Sequence, residues 1–158
     1  MCISKWDKRS DKYMIEIICI GKIKENYLKE LINDYEKRIS KYLKLTIKEL
    51  PDSTNIIDEE EKILKNIDNK SYKILLDIEG KKLDSIELSK LIDKTFIAYS
   101  KITFVIGGSN GVTEKIKSIV NYRLSFSDLT FPHGLFRGIL LEQIYRSLKI
   151  LNNESYHK

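Results

Sequence analysis

The feature that most constrains the fold is a regular alternation of β-strand and α-helix patterns along the chain. Short apolar runs indicate five strands, at residues 15–20, 45–50, 72–78, 101–106 and 122–127. Apolar residues three and four positions apart indicate helices at 25–43, 57–67, 84–98 and 133–151, and a short helix follows Thr113. This alternation predicts an α/β fold, in which a mostly parallel sheet is covered by helices on both faces.

The chain length is typical of a single domain. It has 158 residues, enough to bury a core without disulfides or metal ions. The first 13 residues are polar and aperiodic, and we predict that they form a disordered extension. Residues 14–158 are then expected to form one domain.

Composition excludes several classes of protein. An apolar share of 42% and a charged share of 32% are typical of a globular chain rather than a disordered one. No apolar stretch approaches the roughly 18 residues that a membrane-spanning helix needs. The first 13 residues lack the apolar segment of a secretory signal, so we expect a cytoplasmic protein without a membrane partner.

Charge and cysteine content narrow the possibilities further. The net charge of +5 is a mild bias toward polyanions, too weak by itself to indicate nucleic-acid binding. Arg123, Arg137 and Arg146 fall near the C-terminal end, where a site for phosphate or carboxylate groups is one interpretation and packing is another. Cys2 and Cys19 share no metal-like spacing, and no metal site is expected.

Ligands of parallel sheets bind beyond the carboxyl ends of the strands, which draws attention to three loops, after residues 78, 106 and 127. The loop after 106 contains Gly107, Gly108 and Gly111. Its spacing matches neither the dinucleotide fingerprint nor a P-loop, and no acidic ribose partner follows at the expected distance. Taken alone, this loop favours a tight turn over a phosphate site, and a dinucleotide-binding enzyme is a weak alternative.

The C-terminal 35 residues combine unusual residue types with helical spacing. His133 and Arg137 lie four residues apart and share one face near the start of the last helix. Gly134 and Gly138 give that helix a small-residue face, which favours the close approach of another helix and would form the seam of a dimer if the chain is one. Each residue singly could be a cap, a packing residue or part of an ion pair. Packing does not require the final Tyr-His-Lys.

Several separated motifs resemble one known family when they are taken in order. They are Gly21-Lys22, the turn at 76–80, the stretch FVIGGSNG at 104–111, the stretch LSFSDLTFPH at 124–133, the block at 142–146 and the Tyr-His-Lys end. Over residues 15–158 the chain resembles the ribosomal RNA large subunit methyltransferase H family of the SPOUT class.

The resemblance implies a C-terminal trefoil knot that binds S-adenosylmethionine. The contacts carried over to this sequence are Leu76, Gly107, Phe126, Ser127, Asp128, Leu129, Thr130 and Phe131. They belong to the three strand-end loops identified above. The resemblance therefore agrees with the independent expectation of where a ligand should bind.

The resemblance also implies a reaction and its partners. Similar proteins are homodimers that methylate N3 of a pseudouridine in helix 69 of 23S rRNA, within assembled ribosomes. The candidate catalytic residues are His133, Arg137, Tyr156 and His157. An imidazole suits removal of the imide proton, but the sequence does not identify the base. The alternative is a non-catalytic ribosome-binding module with the same fold.

Overall fold

A computed structural model describes residues 11–158, which form five strands and five helices in strict alternation. The strands are β1 (Met14–Ile20), β2 (Lys44–Leu50), β3 (Tyr72–Lys82), β4 (Lys101–Ile106) and β5 (Tyr122–Ser125). The helices are α1 (Asn26–Ile39), α2 (Ile56–Asn66), α3 (Ser85–Ala98), α4 (Glu114–Ile119) and α5 (His133–Leu151). The predicted α/β class is confirmed.

The five strands form one sheet in the order β2-β1-β4-β3-β5, and every neighbouring pair is parallel. In the inner strand β1, Ile17 lies opposite Ile47 of β2 and Phe104 of β4. The central strands are buried on both faces, which explains why their sequences read as nearly continuous apolar runs.

Apolar side chains pack on both faces of the sheet. On one face, α1, α3 and α5 cover a core that includes Ile17, Phe104 and Leu141. On the other face, α2 and α4 cover a smaller core that includes Ile18 and Val105. The predicted coverage of both faces is therefore confirmed.

Helix starts follow the local signals in the sequence. The carboxylate of Asp84 accepts a hydrogen bond from the Glu87 backbone N–H, and the Glu87 side chain accepts one from the Asp84 N–H, which completes a capping box. Thr113 caps α4 by accepting from the backbone N–H of Ile116. Both starts agree with the sequence analysis.

Three element ends differ from the sequence-based bounds by more than one residue. Helix α1 ends at Ile39, where the chain turns. Leu43 lies beyond this turn, and it is buried in the core although it does not belong to the helix. Strand β3 continues to Lys82, since its pairing with β5 resumes after an irregularity between Leu76 and Lys81. Strand β5 ends at Ser125, two residues early. The spacing of apolar residues reflects which side chains are buried, and buried side chains also occur beyond the ends of helices and strands.

The small-residue face of α5 packs inside the chain. A Cβ added to Gly138 would lie 2.6 Å from Cδ2 of Leu31, and one added to Gly134 would lie 2.8 Å from Cδ1 of Leu28. Both leucines belong to α1. The two glycines therefore let α1 and α5 approach each other, so the expected close approach of a helix is confirmed, and it occurs within the chain rather than at a dimer seam.

The predicted extension falls mostly on residues 1–10, which lie outside the described residues. Tyr13, which was assigned to that extension, is buried, and its ring lies 4.9 Å from that of Phe96. The packed domain therefore includes Tyr13. Within residues 11–158, no helix is long and apolar enough to cross a membrane. The knot implied by the resemblance stays a prediction.

Candidate active site

A cavity of about 570 Å³ lies at the carboxyl-terminal edge of β3, β4 and β5. Its walls come from residues 76–79, where β3 leaves its regular pairing, from the loop after β4, from the segment after β5, and from the first turn of α5. These segments contain the three loops that the sequence analysis singled out, and the predicted residues Leu76 and Gly107 both line the cavity. The sheet rule therefore located this cavity correctly.

The glycine-rich loop after β4 closes as a tight turn. The Gly111 backbone N–H donates to the Gly108 carbonyl oxygen at 3.0 Å, and Gly111 has a φ of +74°, which favours glycine. A Cβ at Gly107 would lie 2.7 Å from Cγ1 of Val112 and 3.0 Å from the Gly111 carbonyl oxygen. The turn interpretation is confirmed, and the same turn also lines the cavity. A larger residue at position 107 would disturb the turn itself.

The segment after β5 supplies most of the opposite wall. Its cavity-lining residues are Phe126, Ser127, Leu129, Thr130 and Phe131. Asp128 does not belong to the cavity wall. It is exposed, and its carboxylate pairs with the ammonium group of Lys82. The structure thus brings five members of the predicted cofactor segment together and places Asp128 outside them.

Three phenylalanine rings form an apolar surface on this wall. The rings of Phe131 and Phe136 are stacked with centroids 5.9 Å apart, and the ring of Phe126 meets Phe136 edge to face at 5.2 Å. Aromatic pairs at these distances hold each other in place. The surface could contact the flat ring of a nucleoside.

Asp77 fixes the shape of the wall contributed by β3. One carboxylate oxygen accepts from the Glu79 backbone N–H at 3.0 Å, and the other pairs with the Arg123 guanidinium at 2.6 Å. Burial raises the pKa of Asp77, but the Glu79 N–H and the Arg123 cation outweigh it and hold the pKa below its ordinary value of 3.8. The carboxylate therefore stays charged around neutral pH.

The first residue of α5, His133, lies at the edge of this cavity. It also lines a second cavity of about 430 Å³, which lies between the beginnings of α1 and α5. Arg137, one turn later, lines only the second cavity and is 3% exposed. Its guanidinium donates to Oε2 of Glu49 at 2.6 Å and to the Gly21 carbonyl oxygen at 3.1 Å. Arg137 is thus already paired within the chain.

The chain end lies at the opposite end of α5. The ring of Tyr156 packs edge to face on Tyr145 with centroids 5.0 Å apart, and the Arg146 guanidinium lies 4.8 Å from the Tyr156 ring centre. Nδ1 of His157 is 3.2 Å from Nη1 of Arg146. Neither Tyr156 nor His157 lines either cavity of the same chain. The four predicted catalytic residues are therefore divided between the two ends of one helix.

Burial also affects Cys19, the cysteine that the structure describes. Its side chain is fully buried in β1, and burial raises its pKa to about 11. A buried thiol with a raised pKa is a weak nucleophile. Among residues 11–158, no three His, Cys, Asp or Glu side chains cluster as metal ligands would.

Sequence reasoning gave no site role to several residues that shape the two cavities. Asp77 lies within the turn at 76–80, one of the motifs that carry the resemblance, so this motif could have identified Asp77 as a site residue. Glu49 looks like an ordinary polar residue of an alternating strand, and no local pattern marks it as the partner of Arg137. Glu59, buried beside Gly108 and accepting from the Ser53 N–H at 2.9 Å, was hidden within a charged helix.

Comparison with solved structures supports the fold. A probable methylase family protein from Haemophilus influenzae superposes with a TM-score of 0.56 over 91% of this chain and 70% of that one, at 13% sequence identity. At that identity the likeness concerns the fold alone. The sequence model of a family described as "Predicted SPOUT methyltransferase" matches residues 13–157. The chain therefore belongs to the SPOUT methyltransferases.

More similar relatives narrow the assignment. The ribosomal RNA large subunit methyltransferase H of Clostridium botulinum is 51% identical over 91% of this chain and 99% of its own length. The protein of the same name from Acetivibrio thermocellus is 45% identical over the same shares. Within the SPOUT class, the chain is a member of the ribosomal RNA large subunit methyltransferase H family.

Proposed function

We propose that this chain transfers a methyl group from S-adenosylmethionine to N3 of a pseudouridine in helix 69 of 23S rRNA. We further propose that it acts as a homodimer on assembled ribosomes, in the cytoplasm. The observation that carries the proposal is the cavity at the carboxyl edge of the sheet. It is built from the segments that the resemblance assigns to the cofactor, in a chain whose relatives are named for methylating ribosomal RNA.

The residues of the first cavity fit S-adenosylmethionine. Phe126 and Phe131 offer apolar surface for an adenine ring, and the loops around Gly107 and Thr130 offer backbone N–H and C=O groups for its polar edge. When bound, the sulfonium supplies an activated methyl group with its own leaving group. The protein then has to position the target nitrogen and help it lose its proton.

His133 is the titratable group best placed to assist proton loss within one chain. It lies where the two cavities meet, and the unprotonated ring nitrogen of a neutral imidazole can accept a proton. Arg137, fixed by Glu49, lies one turn further along α5 on the side of the second cavity. A fixed cation there would favour the anionic form of an imide ring.

Tyr156 and His157 enter this scheme only through a second copy of the chain. Helix α5 has 19 residues and is therefore about 28 Å long, so its own tail lies far from its own cavity. The exposed apolar side chains of Leu129 and Leu135 lie at the two cavities, and apolar exposure of this kind favours cover by a partner. A two-fold dimer with antiparallel α5 helices would bring each tail to the partner's cavity.

A methyl-transfer assay tests the proposal. The protein is incubated with labelled S-adenosylmethionine and either ribosomes that lack the modification, isolated large subunits or naked 23S rRNA. We expect transfer to the ribosomal particles, mapping to helix 69, and little transfer to naked RNA, because a mildly basic chain this small holds free RNA poorly. Robust methylation of a bare hairpin would overturn the ribosome requirement.

Calorimetry separates an enzyme from a non-catalytic ribosome-binding module. An enzyme should bind S-adenosylmethionine, whereas the module should not. Phe131→Ala removes part of the apolar wall and is expected to weaken cofactor binding at least tenfold. Ile97→Ala, which removes an exposed side chain of α3 remote from the strand-end loops, serves as the matched control and should leave binding unchanged.

A further inference from the structure

The second cavity adjoins the first at a defined place. Gly108, Ser109 and His133 line both cavities, so a group in one lies next to a group in the other. The second cavity has a volume of about 430 Å³ and opens between the first turns of α1 and α5. Two adjoining compartments are the arrangement that a transfer between two molecules requires.

The inner wall of the second cavity holds a buried cation in a fixed position. Glu49 binds Nη1 of Arg137 and also accepts from the Ile23 backbone N–H at 3.0 Å, so one carboxylate ties α5 to the loop before α1. Gly21 has a φ of +97°, which turns its carbonyl oxygen toward the Arg137 guanidinium. Nε of Arg137 is buried and has no hydrogen-bond partner among the described residues.

The rim of the second cavity carries groups that suit a nucleotide. Tyr27, on the first turn of α1, has 69% of its surface exposed at this rim, a large exposure for an aromatic side chain. Lys22, in the loop before α1, is also exposed at this rim. An exposed aromatic ring can stack on an unpaired base, and a lysine can contact the adjoining phosphate.

We propose that the second cavity receives the target nucleotide of the RNA, turned out of its stack. In this arrangement Tyr27 stacks on the base or its neighbour, Lys22 contacts the phosphate, and Arg137 faces the carbonyl oxygens that flank the reacting imide nitrogen. Glu49 acts as a positioning residue for Arg137. The inference rests on the proposed function, because it assigns the RNA side of the same reaction.

The chain's own contacts favour RNA over a protein tail as the occupant. The C-terminal segment would be the competing ligand, but Tyr156 is half-buried against Tyr145 in its own chain. Glu154 is held at its side by the Lys149 ammonium at 2.8 Å and by the Tyr42 hydroxyl at 2.7 Å. Only the last two residues would be free to enter a partner's second cavity, too little to fill it.

Kinetics with three variants test the proposal. Tyr27→Ala should lower kcat/KM for ribosomes at least tenfold, mainly through a higher KM, while the Kd for S-adenosylmethionine stays within twofold. Tyr27→Phe keeps the stacking ring and should lose less than threefold. Lys65→Ala, at an exposed position of α2 on the other face of the sheet, is the control and should match the unmodified protein. Equal activity of Tyr27→Ala and the unmodified protein would overturn the proposal.

Cross-linking identifies the occupant directly. Tyr27→p-benzoylphenylalanine, irradiated with ribosomes, should join to helix 69 of the ribosomal RNA. Cross-linking only to a second copy of the chain would show that a protein segment fills the second cavity. The proposed function is tested separately, by methyl transfer with the unmodified protein. If the unmodified protein transfers no methyl group, the proposed function fails; if it does and only Tyr27→Ala behaves unexpectedly, the inference about the second cavity fails.

Discussion

The two ends of α5 contrast in how they use polar residues. At the beginning of the helix, Arg137 is buried and fixed by Glu49, which lies 88 residues away in the chain. At the end, Arg146 pairs at 2.7 Å with Glu142, one turn away, in a partly exposed cluster with Tyr156. The first arrangement joins distant parts of the fold, whereas the second is local and lies on the surface.

This contrast indicates that the two ends of α5 have different roles. Polar groups buried at a cavity cannot rearrange cheaply, so the beginning of α5 is suited to hold fixed positions around a reacting group. Beyond Tyr156 the tail is exposed, so His157 and Lys158 can contact another molecule while the rest of the tail stays packed on its own chain. Residues that the sequence grouped as one catalytic set can therefore meet only in an assembly of two chains.

The largest difference between the two ends should appear in stability. Arg137→Ala removes the ion pair with Glu49, and we expect the free energy of unfolding to fall by about 3 kcal/mol. This loss is at the low end of the range for buried ion pairs because the Glu49 side chain is one-third exposed. Arg146→Ala breaks a partly exposed helical pair and should cost less than about 1 kcal/mol. Urea denaturation of both variants measures the difference, and equal losses would contradict the contrast.

A second test concerns how the beginning of α5 is packed. Gly138→Val places methyl groups against Leu31 of α1 and should lower the free energy of unfolding by about 2 kcal/mol through overpacking. Gly138→Ala should cost less, because the gain in helix propensity of about 1 kcal/mol offsets part of the clash. Since these contacts lie within one chain, the dimer dissociation constant of Gly138→Ala should not change. A weakened dimer would restore the seam interpretation.

Removing residues 156–158 tests the other end of the helix. We expect methyl transfer to fall at least tenfold, which corresponds to about 1.4 kcal/mol of transition-state stabilisation. The melting temperature should change little, because the lost Tyr156 ring contact contributes only about 1 kcal/mol. If His157 accepts the proton, His157→Ala should cause most of this loss, and raising the pH should partly restore the rate.

Mixed dimers show whether the tail acts across the dimer. A chain lacking residues 156–158 keeps its cavity, and a His133→Ala chain keeps its tail. If the tail serves the partner's cavity, mixing the two inactive proteins should restore activity at one site of each mixed dimer. No recovery, with mixed dimers demonstrated by mass, would place the tail's action within its own chain or outside catalysis.

The smallest expected effect concerns pH and the first cavity. The folded-state pKa of Asp77 is lowered, so its charged form adds stability above the ordinary value of 3.8, and this stability is lost as the pH falls through the folded-state value. Asp77→Asn should therefore be less stable than the unmodified protein at pH 7, by less than about 1 kcal/mol since Arg123 is 39% exposed. The difference should shrink as the pH falls below 3.8 and vanish only below the folded-state pKa of Asp77, and a constant difference would exclude this ion pair as its cause.

Local sequence patterns determined most of the fold. Strand β4 and helix α5 have the bounds that periodicity gave, and α3 follows a capping box at Asp84, where its predicted range begins. These features depend on residues close together in the chain, whose spacing directly sets backbone conformation. The parallel-sheet rule then placed the first cavity, because it needs only the order of the strands.

Tertiary structure decided what the local patterns could not. The pairing of Arg137 with Glu49 and the packing of Gly138 on Leu31 both depend on how α5 crosses the sheet and α1. A glycine pair has the same spacing whether it faces its own chain or a partner. Helical spacing fixes which residues share a face, but long-range packing alone decides what that face meets.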